Sequence, residues 1–262
     1  MTEFDFDSKA RSYSPRNAYW LGKAAAMAYQ PTDQIEAEVS SWGLHDVEHF
    51  DNRETQAFIA RNDDTLILAF RGTEPDKLKD WMTDLDIGLV GGPGGKVHEG
   101  FNTALNSVWR QLLPSITNKR EQRSLWLTGH SLGAALATLA VAKLRLERDE
   151  PVNGLYTFGQ PRTGNSEFAK NFDADFSKQT FRYVNNNDIV PRVPFRSMTY
   201  SHVGTFKYFD VDGNQHDDEM VWWEKLLDRL KGRIEDILAL GTDGIKDHAM
   251  TNYLAGLKKA RG

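Results

Sequence analysis

The chain has 262 residues, of which 40% are hydrophobic, 26% charged and 11% aromatic, with a formal net charge of −5; this is length for one large α/β domain and an ordinary composition for a globular protein with a sizeable core. Lysines and arginines are interspersed with acids rather than gathered into a stripe, which argues against a nucleic-acid partner. The absence of cysteine excludes disulfides, thiolate metal sites and a cysteine nucleophile in one step.

Met1–Asp7 is acidic where a signal peptide would be basic, and no apolar run approaches a membrane span. The expectation is a cytoplasmic protein without a transmembrane segment, with a mature secreted form as the alternative. No linker composition interrupts the chain, so a single domain over residues 1–262 is expected. Tyr19, Leu21, Ala24, Ala25, Ala28 and Tyr29 predict a first helix, ended by Gln30-Pro31 because proline disfavours helix in the residue before it. A β-rich stretch follows, with strands at Val47–Phe50, Gln56–Arg61 and Thr65–Phe70. The last is almost continuously apolar, as expected of a central strand covered on both faces. His45-Asp46-Val47-Glu48-His49 matches the H-x-x-E-H pattern of some zinc peptidases. That chemistry needs its histidines on a helix, whereas this short segment leads into a hairpin, so exposed strand histidines and no metal are expected.

After Arg71-Gly72-Thr73 the pattern changes. Leu78, Trp81, Met82 and Leu85 fall at i, i+3, i+4 and i+7, with Lys77, Lys79, Asp80 and Asp84 on the opposite side, which predicts a short amphipathic helix. Gly88 and the run Gly91-Gly92-Pro93-Gly94-Gly95 follow it and permit large backbone excursions. The run lacks the Lys-Ser/Thr ending of a phosphate loop. Two readings of the helix stand side by side: a surface helix packed permanently on the core, or a mobile lid over residues 75–90 that hides an apolar site and exposes its Trp81 face at a lipid surface.

Helical spacing of Leu105, Val108, Trp109, Leu112 and Leu113 leads to the stretch that carries the chemistry. Leu125-Trp126-Leu127-Thr128 reads as a buried strand, Gly129-His130-Ser131-Leu132-Gly133 is Gly-x-Ser-x-Gly, and the residues from Leu132 onward read as an Ala/Leu-rich helix. Strand, tight turn and helix are the context in which this motif presents a nucleophilic serine, here Ser131. Downstream, Leu155–Phe158 and Thr180–Val184 read as strands, Phe168–Phe172 as a helix, Val203–Val211 as a late strand turning at Asp212-Gly213, and Glu219–Leu240 and Met250–Leu257 as helices. The alternation predicts an α/β fold with a mostly parallel central sheet and helices on both faces.

A serine hydroxyl needs a histidine to take its proton and a carboxylate to fix that histidine's tautomer. When the chain order is Ser, acid, His, only His202, His216 and His248 of the seven histidines lie far enough past Ser131. His202 begins a strand pattern and His216 lies near a hairpin. His248 stands between a charged loop and the last helix, where a base reaches the carboxyl edge of the sheet, and it is preferred, with His216 as the alternative. Asp188 directly follows the strand ending at Val184 and is the candidate acid; Asp173, Asp175 and Asp247 are weaker rivals. For the oxyanion, one N–H donor is expected from Leu132, the residue after the nucleophile, and the other from the Arg71-Gly72-Thr73 loop through Thr73.

Phe70-Arg71-Gly72-Thr73, Asp80-Trp81-x-x-Asp84-Leu85, Val97-His98-x-Gly100-Phe101, Thr128-Gly129-His130-Ser131-Leu132-Gly133-Ala134-Ala135, Thr157-Phe158-Gly159-x-Pro161-Arg162, Asn187-Asp188-x-Val190-Pro191 and Asp247-His248-x-x-x-x-Tyr253 stand in order along the chain. Together they resemble the class 3 lipases, the filamentous-fungal type within the α/β-hydrolases. The resemblance implies an α/β-hydrolase fold with a short helical lid at Pro75–Asp86, the triad Ser131, Asp188 and His248, and oxyanion donors Thr73 and Leu132. It further implies that Tyr200-x-His202-x-Gly204 is structural. The expected activity is carboxylic-ester hydrolysis, with triacylglycerols as substrates, an acyl-enzyme on Ser131, transient contact with a lipid–water interface and no metal or organic cofactor. A phospholipase A1 or a polar or aromatic-ester esterase is the alternative on the same fold. A catalytically silent binding protein is the rival of a different class, and the intact Ser131, Asp188 and His248 set speaks against it.

Overall fold

The computed structural model describes residues 3–52, 55–74, 76–83, 87–118, 120–194, 198–217 and 241–262. The helix expected at Glu219–Leu240, and residues Pro75, Asp84, Leu85 and Asp86 of the expected lid, lie outside the described residues. The apolar run at Thr65–Phe70 becomes β3, buried at every position, in the middle of an eight-stranded sheet. Its order is β1 (Asp46–Asn52), β2 (Thr55–Arg61), β3, β6 (Ser124–His130), β7 (Gly154–Phe158), β9 (Thr180–Asn185), β11 (Thr205–Phe209) and β12 (Gln215–His216). β1, β2 and β3 form an antiparallel meander, β3, β6, β7, β9 and β11 are parallel to their neighbours, and β12 turns back antiparallel on β11. His45 and His49 sit at the meander as exposed and half-buried residues, and His49 Nε2 meets Glu36 Oε1 at 3.0 Å.

Side chains alternate across the sheet. Leu66, Leu68 and Phe70 of β3, with Leu125 and Leu127 of β6, pack under α4 (Glu99–Thr117), α5 (Leu132–Arg148) and α6 (Ser166–Phe176). Ile67, Ala69 and Trp126 point to the other face, against α1 (Pro15–Met27), α2 (Thr32–Ser41) and the C-terminal helix α8 (Met250–Arg261). Strands covered on both faces cannot show polar alternation, which is why β3, β6 and β7 read as continuous apolar runs. The N-terminal segment adds a strap: Phe4 and Phe6 lie against Trp20, Trp42 and Trp126, while Asp5 accepts from Trp20 Nε1 at 2.7 Å and pairs with Arg261 at 2.8 Å.

Several elements escape the sequence pattern. α2 follows Pro31, and its buried face holds only Ile35 and Val39, one i, i+4 pair, which is too little periodicity to recognise. The glycine run builds β4 (Leu89–Gly92) and β5 (Gly95–His98), which join β8 (Gly164–Asn165) and β10 (Tyr200–Ser201) in a separate four-stranded sheet. Glycine is demanded at position 95, where a Cβ would stand 2.4 Å from the Phe168 backbone nitrogen. α3 (Leu78–Thr83) forms where the amphipathic pattern predicts, and α7 (Gly241–Asp247) precedes α8.

Tyr156, Tyr183 and Tyr253 are fully buried, and burial pushes each phenol above its ordinary value. Above about pH 10 an unfolded chain releases these protons while the folded protein keeps them, so their contribution is complete below that pH and is lost as pH rises further. In an alkaline titration, tyrosinate absorbance from these three residues should appear together with the loss of far-UV circular dichroism. Ionisation of every tyrosine with the circular dichroism unchanged would contradict it.

Candidate active site

Parallel strands place their carboxyl ends on one edge, where sites in such sheets form. Four connections meet there: Arg71-Gly72-Thr73 after β3, Ser131 after β6, Gly159 after β7 and the turn to Asp188 after β9. Ser131 has φ 58° and ψ −130°, a left-handed conformation that a non-glycine residue adopts only when its surroundings hold it there. Its N–H donates to the Phe158 carbonyl at 3.0 Å. The motif glycines make the turn feasible. A Cβ at Gly129 would lie 2.3 Å from the Gly133 carbonyl oxygen, and one at Gly133 would lie 2.3 Å from the Phe70 carbonyl oxygen. Both obstacles are backbone, so neither can move aside.

Asp188 is 0% exposed and His248 3% exposed, and Nδ1–H of His248 donates to Asp188 Oδ2 at 2.8 Å. The carboxylate has two further donors, the Val190 N–H to Oδ1 at 2.9 Å and the Tyr253 hydroxyl to Oδ2 at 2.5 Å. With Nδ1 committed as a donor, Nε2 of neutral His248 carries the lone pair. That nitrogen, the Ser131 hydroxyl and the Thr73 hydroxyl are each buried with no hydrogen-bond partner among the described residues. Buried polar atoms are almost always partnered, so three such atoms at one sheet edge make this the candidate site.

Of the other candidates, His216 lies on β12 and holds Asp210 at 2.8 Å, and His202 Nε2 donates to the Pro191 carbonyl at 2.8 Å. Asp247 does not orient the neighbouring His248; its carboxylate accepts from Asn186 Nδ2 at 3.0 Å and from the Asn187 N–H at 3.1 Å, shaping the turn that carries Asp188. Asp175 pairs with Arg145, and Asp173 accepts from the Gly204 N–H at 2.7 Å, with burial raising its carboxyl above the usual range. Leu132 opens α5 directly after Ser131. Leu78 and Met82 of α3 are 2% and 7% exposed and pack on Ile189, Val190 and Ile245, while Trp81 stacks on Phe101 with ring centroids 6.3 Å apart. Leu85 lies outside the described residues.

Residue-type reasoning passed over two residues at the site. Tyr253 had a signal in its position five residues after His248, one turn into the helix that follows it. Gly159 stood in a family block with no role assigned to it: its φ is +58°, and a Cβ there would meet His248 Cε1 at 2.6 Å and Asp188 Oδ2 at 2.9 Å.

Among the described residues, no group of three or more His, Asp or Glu side chains is placed to hold a metal ion, and no helix is long and apolar enough to cross a membrane. Residues 67–198 match the family model described as Lipase (class 3). A triacylglycerol lipase of Ricinus communis is 28% identical over 91% of this chain and 64% of its own length, and a phospholipase A1 of Oryza sativa is 33% identical over 56% of this chain and 43% of its own. The chain therefore spans about two thirds or less of these curated relatives. Among solved structures, lipase II from Rhizopus niveus superposes with a TM-score of 0.64 at 25% identity, covering 75% of this chain and 82% of that one. With the family model spanning half of the sequence and fungal lipases sharing its architecture, the chain belongs to the class 3 lipase family.

Proposed function

We propose that this protein hydrolyses carboxylic esters, with acylglycerols as substrates, through an acyl-enzyme on Ser131. The observation that carries the proposal is the trio of buried, partnerless polar atoms, Ser131 Oγ, His248 Nε2 and Thr73 Oγ1, beside the Asp188–His248 pair. In this mechanism Ser131 Oγ attacks the ester carbonyl carbon as its proton passes to His248 Nε2, and Asp188 stabilises the imidazolium. The carbonyl oxygen becomes an oxyanion, bound by the Leu132 N–H at the start of α5 and by Thr73, whose hydroxyl is then partnered. Collapse breaks the bond to the alcohol oxygen, which takes the proton from His248. Water, deprotonated by the same nitrogen, releases the fatty acid and restores the serine.

Ser131 is 0% exposed, so an ester reaches it only after something moves. α3 is the mobile lid in this proposal, because its Leu78 and Met82 cover Ile189 and Val190, next to Asp188. Exposing two such side chains to water costs about 3–6 kcal/mol, at roughly 1.5–3 kcal/mol each. At about 1.4 kcal/mol per tenfold, that keeps the open form near or below about one molecule in a hundred until an apolar surface accepts the helix. Triacylglycerol is the favoured substrate, consistent with the Ricinus relative; the rice phospholipase A1 makes phospholipid the competing one.

Ser131→Ala should abolish hydrolysis of a chromogenic short-chain ester while leaving the far-UV circular dichroism spectrum unchanged, and retained turnover would remove Ser131 as nucleophile. With tributyrin, the rate should rise by at least about a hundredfold once the substrate passes its solubility limit, the reciprocal of the open fraction set by apolar burial. A smooth saturation curve through that limit would remove the lid. Faster turnover of a diacyl phospholipid than of tributyrin, measured in parallel, would replace the acylglycerol assignment by the phospholipase one.

A further inference from the structure

His130, the variable position of Gly-x-Ser-x-Gly, is 5% exposed and packed against His248. The two imidazoles stack with centroids 4.3 Å apart and planes 29° apart. His130 Nε2 lies 2.7 Å from the backbone carbonyl oxygen of His248, and Nδ1 lies 2.8 Å from the Tyr29 hydroxyl. A carbonyl oxygen only accepts, so Nε2 carries the hydrogen. Burial, and then the neighbouring His248, depress the His130 pKa well below the ordinary value, so the ring is neutral. Nδ1 is therefore the acceptor and Tyr29 the donor.

Tyr29 is tied in turn to the oxyanion loop. The Arg71 guanidinium lies over its ring at 5.9 Å. A Cβ at Gly72 would meet the Tyr29 oxygen at 2.3 Å and Ser131 Cβ at 3.1 Å, so loop, tyrosine and serine share one confined space. Two hydrogen bonds then run in one direction, from the Tyr29 O–H to His130 Nδ1 and from His130 Nε2–H to the His248 carbonyl.

We propose that Tyr29 and His130 are positioning residues for the general base: the Tyr29 hydroxyl locks His130 in its Nε2–H tautomer, and His130 clamps the His248 backbone so that the imidazole, held at its other side by Asp188, stays aligned with Ser131. This inference rests on the reading of Ser131 and His248 as nucleophile and base. A histidine that merely fills core volume needs no particular tautomer. Here the opposite tautomer would set a lone pair against the His248 carbonyl oxygen, push the backbone away and carry the base with it. His130 itself touches no substrate in this scheme.

Tyr29→Phe removes only the donor. It should keep KM within about twofold and lower kcat about tenfold, the scale expected when a catalytic group drifts by a fraction of an ångström. His130→Leu, which lacks both donor and acceptor, should lose about a hundredfold in kcat on the same reasoning. His130→Gln places an amide donor and acceptor at nearly the spacing of the ring nitrogens and should recover kcat to within about threefold. Imidazole nitrogen chemical shifts give a readout independent of turnover: assigned His130 should show a protonated Nε2 and a bare Nδ1 in the unsubstituted protein and a mixture of tautomers in Tyr29→Phe. Unchanged kcat with an unchanged tautomer in Tyr29→Phe would overturn the proposal, as would a kcat loss that only tracks the fraction of folded protein. If His130→Leu does not fold, Tyr29→Phe and the nitrogen shifts decide alone. If the unsubstituted protein hydrolyses no ester, the proposed function fails while the tautomer lock is still read from the shifts; if it does and Ser131→Ala is silent, a normal Tyr29→Phe sinks only this inference.

Discussion

The close approach of α5 to the ends of β3 and β6 is the constraint on which the site depends. It requires a chain that leaves β6 and enters a helix with a single left-handed residue between them, and that residue is Ser131, with φ 58°. Such a conformation costs about 1–3 kcal/mol. The price is small beside what secures the two elements. Leu136, Leu139 and Leu144 of α5 are at most 1% exposed, and each buried leucine contributes roughly 1.5–3 kcal/mol. The strained turn is therefore held from both sides by burial, and strain at the serine is a consequence of packing rather than a separate device. Gly129 and Gly133 are needed because the contacts they make are backbone to backbone, at distances where any Cβ would collide.

The edge of the sheet then gathers residues that are far apart in sequence. This explains why so much was legible before any coordinates: in a parallel sheet, residues just beyond strand ends meet, so finding strands also locates candidate site positions. Ser131, Thr73 and Asp188 stand within three residues of the ends of β6, β3 and β9, each buried along its length. His248 was reached by elimination and chain order, and the structure sets it 2.8 Å from Asp188. Illegible parts share a different character. Tyr29 is remote in sequence, on the residues that follow α1, and Gly159 is distinguished only by a Cβ it lacks. The hairpin of β4 and β5 is built from glycines whose conformations no periodicity encodes. α2 presents two apolar residues to the core and hides its helical nature in an otherwise polar segment.

Two kinds of force act on the proposed acid and base, and they are separable in space. Apolar contacts bind α3 to the segments carrying them: Leu78 and Met82 rest on Ile189 and Val190, immediately after Asp188, and Ile245 of α7, shortly before His248, joins the same cluster. In the proposed lid opening these contacts are the ones given up. Directional bonds hold the carboxylate from below, through the Val190 N–H and the Tyr253 hydroxyl, while Asp247 fixes the turn through Asn186 and Asn187. None of these hydrogen bonds involves α3. Buried hydrogen bonds to a charged group contribute roughly 1.5–3 kcal/mol each and tolerate little displacement, whereas hydrophobic contacts are non-directional and can be exchanged for any apolar surface. Apolar contacts of the second kind can be given up without disturbing a geometry fixed by the first. In the proposed lid mechanism, that division lets one short helix respond to a lipid surface while Asp188 and His248, a few residues from its contacts, keep their alignment.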